Sequence, residues 1–142
     1  MNKEQLYIWA AGIFDGEGTV GVYDCGHGQL RTSLAVSNTD PRMVLELQAL
    51  FEVGSIRRNA ATARKSALFI WSIFDLNAIQ YVLTKLRPFL IVKGEEADIV
   101  LSLRSLDASI VPAQRQLAHD KLKEIKRNRL RVAVQAIKPQ LQ

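Results

Sequence analysis

From residue 4 to residue 15 the chain is apolar on nearly every helical face, running through Leu6-Tyr7-Ile8-Trp9 and Ala10-Ala11 to Ile13-Phe14. This pattern predicts a helix buried on all sides and ended by Gly16 and Gly18, because glycine is a poor helix former. The period then changes to two. Thr19-Val20-Gly21-Val22-Tyr23 places Val20 and Val22 on one face. After the Gly26-His27-Gly28 loop, Leu30, Thr32, Leu34 and Val36 repeat the alternation, predicting a hairpin with one apolar face. Since strand side chains alternate, the opposite face carries Thr19, Tyr23, Gln29, Arg31 and Ser33.

Ser37-Asn38-Thr39-Asp40-Pro41 is a helix start, with Asp40 as N-cap and Pro41 in the first turn. Met43, Val44, Leu47, Leu50 and Phe51 follow at helical spacing, and Gly54 is the stop signal. Residues 55–59 and 68–74 predict a second strand pair, with Ser55, Arg57 and Asn59 on its outer phase. Asp75 opens a further helix that runs to Pro88. Lys93–Leu106 and Ala113–Val134 complete the chain as helices separated near Pro112. The order is that of an α+β fold with an αββαββα core over about residues 4–106, a four-stranded antiparallel sheet, and extra C-terminal helices in a basic part from 111 to 142. Helices on the sheet's apolar side leave its other side as a broad polar surface. That surface is either a solvated sheet face or a reader of nucleic acid, since the major groove admits a β-ribbon.

Composition narrows the class. The chain has 142 residues, 48% hydrophobic and 23% charged, which fits one domain and excludes a disordered or collagenous chain. Cys25 is the single cysteine, so an intramolecular disulfide is excluded and a reducing compartment is the simpler expectation. His27 and His119 lack the partners of a zinc site and read as surface residues, while Trp9 and Trp71 read as core. The first apolar run is too short to span a bilayer and meets Asp15 and Glu17, so the expectation is a protein that is not secreted, acts in its compartment of synthesis and has no membrane partner. The net charge of +5 points to a polyanionic partner. Its distribution matters more than its size. Residues 1–110 carry 11 Lys and Arg against 12 Asp and Glu, and residues 111–142 carry 8 against 2. The excess is therefore C-terminal, and Lys121, Lys123, Lys126, Arg127, Arg129 and Arg131 are dense enough to suggest contact with a phosphate backbone.

The segment with most chemical content is Ala10-Ala11-Gly12-Ile13-Phe14-Asp15-Gly16-Glu17-Gly18. Gly12 and Gly16 stand four apart on one helical face beside Ala11, an arrangement that lets two helix backbones approach closely. If the helix packs on its own copy across a two-fold axis, both copies of Glu17 arrive at one place. Two carboxylates and nearby carbonyls make an oxygen-rich site suited to Mg²⁺. Asp15 reads instead as a capping or hydrogen-bonding residue at the helix junction.

This segment resembles the LAGLIDADG motif, and the chain is similar to single-motif homing endonucleases of that family. The likeness extends over the core element order. Asn38 and Arg42 fall where the family places polar and basic active-site residues, and Pro88-Phe89-Leu90-Ile91-Val92-Lys93 resembles the family's segment ending in an active-site lysine. The resemblance implies a homodimer that binds long, partly palindromic double-stranded DNA and cuts both strands with Mg²⁺, with Mn²⁺ or Ca²⁺ able to occupy the same site. It implies that Glu17 and the Gly16 carbonyl bind metal, and that Lys93, Asn38 and Arg42 organise water and phosphate. Ala11, Gly12, Asp15 and Gly16 would line the dimer interface. Thr19, Tyr23, Gln29, Arg31, Ser33, Ser55, Arg57 and Asn59 would face DNA, where Arg suits guanine edges and Gln suits adenine. A bacterial or archaeal cytoplasm, or an organelle, would be its setting. Three departures stand out: Glu17 replaces the more usual Asp, Ala10 replaces the leading Leu, and Asn38 stands where Gln is commoner. Two other classes remain open, a splicing maturase or non-cleaving DNA-binding protein on the same scaffold, and a dimeric interaction domain with incidental charge.

Overall fold

The computed structural model describes residues 1–26, 29–103 and 111–137; His27 and the end of the expected Lys93–Leu106 helix lie outside these. Five helices and four strands follow in the order α1 (Lys3–Glu17), β1 (Gly18–Asp24), β2 (Leu30–Asn38), α2 (Pro41–Phe51), β3 (Ser55–Asn59), β4 (Leu68–Ile73), α3 (Leu76–Leu86), a 3-10 turn (Arg87–Phe89), α4 (Gly94–Leu101) and α5 (Val111–Ile137). Three helices start on Asx caps, Asp40 and Asp75 as expected and Asn2 in addition. Asn2 forms a capping box with Gln5, Asp40 accepts from the Arg42 amide, and Asp75 accepts from the Ala78 amide.

Helix ends are less legible. α1 passes through Gly16 and stops only at Glu17, correcting the expectation that Gly16 breaks it. Gly costs a helix about 1 kcal/mol against Ala but does not forbid it. α2 ends at Phe51, and Glu52 rather than a glycine takes the left-handed conformation after it, at φ 57°. Gly54, two residues further on, has φ 84°. α5 is longer than expected at both ends, taking Pro112 into its first turn.

The four strands form one antiparallel sheet in the order β1-β2-β4-β3. Val20, Val22, Leu34, Val36, Trp71 and Ile73 turn to its inner face. There they meet Ala10, Ala11 and Phe14 of α1, Val44, Leu47 and Phe51 of α2, Ile79, Val82, Leu83 and Leu86 of α3, and Ala97 and Val100 of α4. Trp71 ties this core together. Its ring stacks on Phe51 at 5.8 Å between centroids, and its indole N–H donates to the Val53 carbonyl at 2.9 Å. Trp9 is half-buried against the same core.

α5 lies along the free edge of the sheet. Ala118 and Leu122 are buried against the body of the protein, and the Arg115 guanidinium donates to the Leu30 carbonyl at 3.1 Å. His119 is not the surface residue expected: its side chain is only 18% exposed and, with Leu122 and Lys126, it lines a shallow cleft against Gly21, Val22 and Tyr23.

The turn before β3 offers a test of this packing. A Cβ at Gly54 would lie 2.6 Å from the Trp71 Nε1 and 2.9 Å from the Ser72 carbonyl oxygen, and the residue has a positive φ besides. Gly54→Ala should cost about 2 kcal/mol or more in urea unfolding, from backbone strain and displacement of the tryptophan. A loss below about 0.5 kcal/mol, the range of inert surface changes, would contradict this account of the turn.

Candidate functional site

The C-terminal turn of α1 organises the site through Asp15. Its carboxylate accepts the backbone N–H groups of Ile91 at 2.8 Å, Val92 at 3.2 Å and Lys93 at 3.0 Å. Three successive amides converging on one anion make a strong anchor, because hydrogen bonds to a charged acceptor are about twice as strong as neutral ones. The junction role expected for Asp15 is thus confirmed. Both of its carboxylate oxygens are engaged within the protomer, and the residue itself is half-buried.

The anchored loop delivers Lys93, the N-cap residue of α4, to the end of α1. The Lys93 ammonium donates to the Phe14 carbonyl at 3.1 Å and to the Gly18 carbonyl, and lies 5.7 Å from the Phe14 ring centroid. Half-burial pushes the Lys93 pKa down from its ordinary value; Glu96, Asp15 and Glu17 oppose that shift and Arg129 reinforces it. Glu17 therefore belongs to the same electrostatic neighbourhood. It is exposed as the last residue of α1, and no hydrogen bond or ion pair engages its carboxylate among the described residues. A helix C-terminus carries partial negative charge, so its carbonyls and this carboxylate together favour a cation. No group of three or more His, Cys, Asp or Glu able to hold a metal occurs among the described residues of the single chain.

The glycines of α1 behave differently from its alanines. Gly12 and Gly16 are exposed, and a Cβ built on either would meet nothing within 4 Å. They form an exposed stripe with Gln5 and Ile8. The expectation of burial on all sides is corrected for this stripe. Ala11 is also corrected: it is 0% exposed, fully inside the protomer core, and cannot line an interface with another chain. It lies about 100° around the helix from Gly12, and that rotation turns it inward.

Asn38 and Arg42 are not joined to Lys93 or Glu17 by any hydrogen bond among the described residues. Asn38 ends β2, and because Gly18 pairs with Val36 it stands at the same end of the sheet as the α1 terminus. Its side-chain oxygen accepts the Asp40 amide at 2.8 Å, helping to start α2. The Arg42 side chain is 86% exposed and paired with Asp40 at 2.6 Å. That partner already explains a cation in the first turn of a helix, for which a phosphate had been the expected reason. The pairing also holds the Asp40 carboxyl down at about 2.

The outer face of the sheet has the expected parity. The pairs Thr19↔Ala35, Gly21↔Ser33 and Tyr23↔Arg31 place those residues on one side. Through Ala35↔Ser72 and Ser37↔Ile70, that side continues to Ser55, Arg57 and Asn59, which pair with Ser72, Ile70 and Leu68. Gln29 precedes β2 in the hairpin turn, with its amide bonded to the Gly26 carbonyl. The face is not uniformly polar or open. Ile70 and Ser72 within it are buried. Tyr23 folds over Gly21, with Lys126 of α5 5.8 Å from its ring centroid, and desolvation raises its pKa while a hydrogen bond with Thr19 lowers it.

Two neighbours of the site gave no separate signal in the sequence. Glu96 is 3% exposed, and its carboxylate receives Arg129 of α5 at 2.7 and 3.1 Å, while the same guanidinium donates to the Val92 carbonyl at 3.0 Å. Arg129, one of the basic residues of the tail, is thus engaged inside the protomer while its side chain stays 41% exposed. Glu96, three residues after the cap of α4, is a position where an acid is routine.

No protein-family model and no curated protein sequence matches the chain. Solved structures do. The homing endonuclease I-CvuI in complex with its target in the presence of Ca matches with a TM-score of 0.58 at 22% identity, over 70% of this chain and 65% of that one. I-CvuI with the I-CreI target in the presence of Mg, its DNA not cleaved, matches at 25% identity and 0.56, over 69% and 65%. The archaeal intron-encoded homing endonuclease I-Vdi141I complexed with DNA matches with 0.59 at 15%, over 70% and 66%. The LAGLIDADG meganuclease I-AabMI bound to uncleaved DNA matches with 0.54 at 15%, over 70% of this chain and 35% of that one. The chain therefore spans somewhat under two thirds of the length of the first of these, and it has the LAGLIDADG homing-endonuclease fold.

The Asp15 anchor can be checked without any ligand. Asp15→Ala should lower stability by about 2 kcal/mol, because three amides lose a charged acceptor and are left to water. Hydrogen exchange at Ile91, Val92 and Lys93 should accelerate with it, and unchanged protection at these amides would contradict the anchoring role.

Proposed function

We propose that this chain, with its LAGLIDADG fold, is a site-specific double-strand DNA endonuclease that acts as a homodimer with a divalent metal. The observation that carries the reading is the presence of an unengaged Glu17 carboxylate and the half-buried Lys93 ammonium at one helix end, beside a sheet face bearing Arg31 and Arg57. The solved structures of similar fold are homing endonucleases complexed with DNA, and two of those complexes were formed with Ca or Mg present.

Dimerisation is supported by the glycines. Nothing inside the protomer needs Gly12 or Gly16, since a Cβ on either meets open space, and yet glycine weakens a helix. Close approach of a second α1 backbone across a two-fold axis accounts for both residues. Among the described residues, Glu17 is the acid at this helix end with an unengaged carboxylate, so a second copy of α1 would bring a second one to the axis. Two copies of Glu17 with the Gly16 carbonyls make a hard-oxygen donor set suited to Mg²⁺, Mn²⁺ or Ca²⁺. When bound, the metal supplies charge stabilisation at attacking and leaving oxygens and lowers the pKa of water.

The chain's own groups do the rest. Lys93, held by two carbonyls, presents a compact ammonium to the charge that develops on the scissile phosphate. Asn38, at the same end of the sheet, is proposed to organise water through its side-chain amide, whose oxygen also accepts the Asp40 N–H. Arg42 can reach a phosphate only by exchanging its Asp40 partner. Thr19, Arg31, Ser33, Ser55, Arg57 and Asn59 along the outer face, with Gln29 at its hairpin turn, are proposed to read base edges, with the unengaged basic residues of α5 adding sequence-independent attraction.

Selection of cleaved sites from a randomised duplex pool, with Mg²⁺, tests the activity. Wild type should enrich a long, partly palindromic site; no enrichment, together with binding to an RNA intron, would favour the maturase reading. Glu17→Gln should lower the cleavage rate at an enriched site by about 10³-fold or more, with DNA affinity kept within a few-fold. Gly12→Leu should leave the protomer folded by circular dichroism while shifting the sedimentation equilibrium to monomer. A dimer that survives this substitution would refute the α1 interface.

A further inference from the structure

The α4–α5 contact lies behind Lys93 and is not explained by core packing alone. Glu96 is 3% exposed, and burying an unpaired carboxylate is expensive. Arg129 occupies both of its oxygens, at 2.7 Å and 3.1 Å, and reaches past it to the Val92 carbonyl at 3.0 Å. Glu96 stands one helical turn from Lys93 and is the acid whose charge acts most on its ammonium. The other inward acid, Asp15, is already filled by three backbone amides. Each inward carboxylate beside Lys93 is therefore engaged by a different donor, and the ammonium turns instead to the Phe14 and Gly18 carbonyls at the rim where Glu17 stands.

We infer that Arg129 is a positioning residue: by chelating Glu96 and holding the Val92 carbonyl, it denies Lys93 a local carboxylate and keeps the ammonium at the Glu17 end of the site. α5 acts as a strap from which Arg129 sets the reach of the lysine that caps α4. The inference rests on the endonuclease reading for its effect on cleavage, but not for the geometry it asserts. Without Arg129, Glu96 becomes the strongest unpaired anion near Lys93, and the lysine withdraws to it. Removing the carboxylate as well removes the trap.

The test is a double-mutant cycle on Arg129→Met and Glu96→Gln, at a temperature where every variant is folded by circular dichroism. Arg129→Met should slow single-turnover cleavage by about tenfold or more, with DNA affinity and its salt dependence unchanged. Arg129→Met combined with Glu96→Gln should return the rate to within about threefold of wild type, a coupling that isolates the pair. Acylation of the Lys93 amine by acetic anhydride, read by mass spectrometry on the free protein, should slow in Arg129→Met and recover in the double variant. A weakened, less salt-dependent affinity for DNA in Arg129→Met would show a phosphate contact instead and overturn the inference. So would a loss of stability with cleavage by the folded protein and Lys93 labelling both unchanged. If wild type cleaves no DNA while the labelling pattern holds, the endonuclease reading fails and the positioning of Lys93 by Arg129 stands.

Discussion

The Asp15 carboxylate, received by the amides of Ile91, Val92 and Lys93, is the contact on which the rest of the site depends. It joins the end of the first helix to a loop 76 residues later in sequence, and the loop opens α4 with Lys93 as its cap. The long loop closure is offset because one anion satisfies three donors at once, where a neutral acceptor would serve fewer and more weakly. Glu17, two residues beyond Asp15, is exposed, and no hydrogen bond or ion pair engages it among the described residues. Two acids separated by one glycine thus do opposite work, one spent on structure and one left unengaged.

That division of charge continues around Lys93. Burial lowers the Lys93 pKa and nearby acids oppose that shift, yet among the described residues no inward acid forms an ion pair with its ammonium. Asp15 is occupied by backbone and Glu96 by Arg129. The ammonium is held by carbonyl oxygens instead, which bind it without neutralising its charge. For a group proposed to face a phosphate this arrangement keeps the positive charge available, whereas a salt bridge would consume it. The exposed stripe of Gln5, Ile8, Gly12 and Gly16 is the complementary feature: helix surface with no function inside the protomer.

Much of this architecture is legible along the chain. Alternation at Val20, Val22, Leu34 and Val36 places the sheet's inner face, and the same parity places Thr19, Tyr23, Arg31, Ser33, Ser55, Arg57 and Asn59 opposite it, because a strand has only two sides. Asp40-Pro41 and Asp75 mark helix starts by local hydrogen bonding that needs no tertiary partner. The Gly-x-x-x-Gly spacing followed by Asp15 and Glu17, and the lysine after Pro88-Phe89-Leu90, pick out the two halves of the site from residue type and order.

What the chain cannot announce are contacts whose partners are distant in sequence. Whether Gly16 ends a helix is decided by a balance near 1 kcal/mol, which the packing of Phe14 and the Asp15 anchor can tip. Ala11 and Gly12 are neighbours in a motif, but one helical step separates core from surface. Arg129 reads as one basic residue among six until α5 folds back and sets it against a buried Glu96. Local pattern therefore determined the elements, the two faces of the sheet and the residue types of the site, since these follow from periodicity and short-range bonding. Only the tertiary structure decided which charges are spent on one another and which are left to act, because pairing depends on distances that sequence order does not contain.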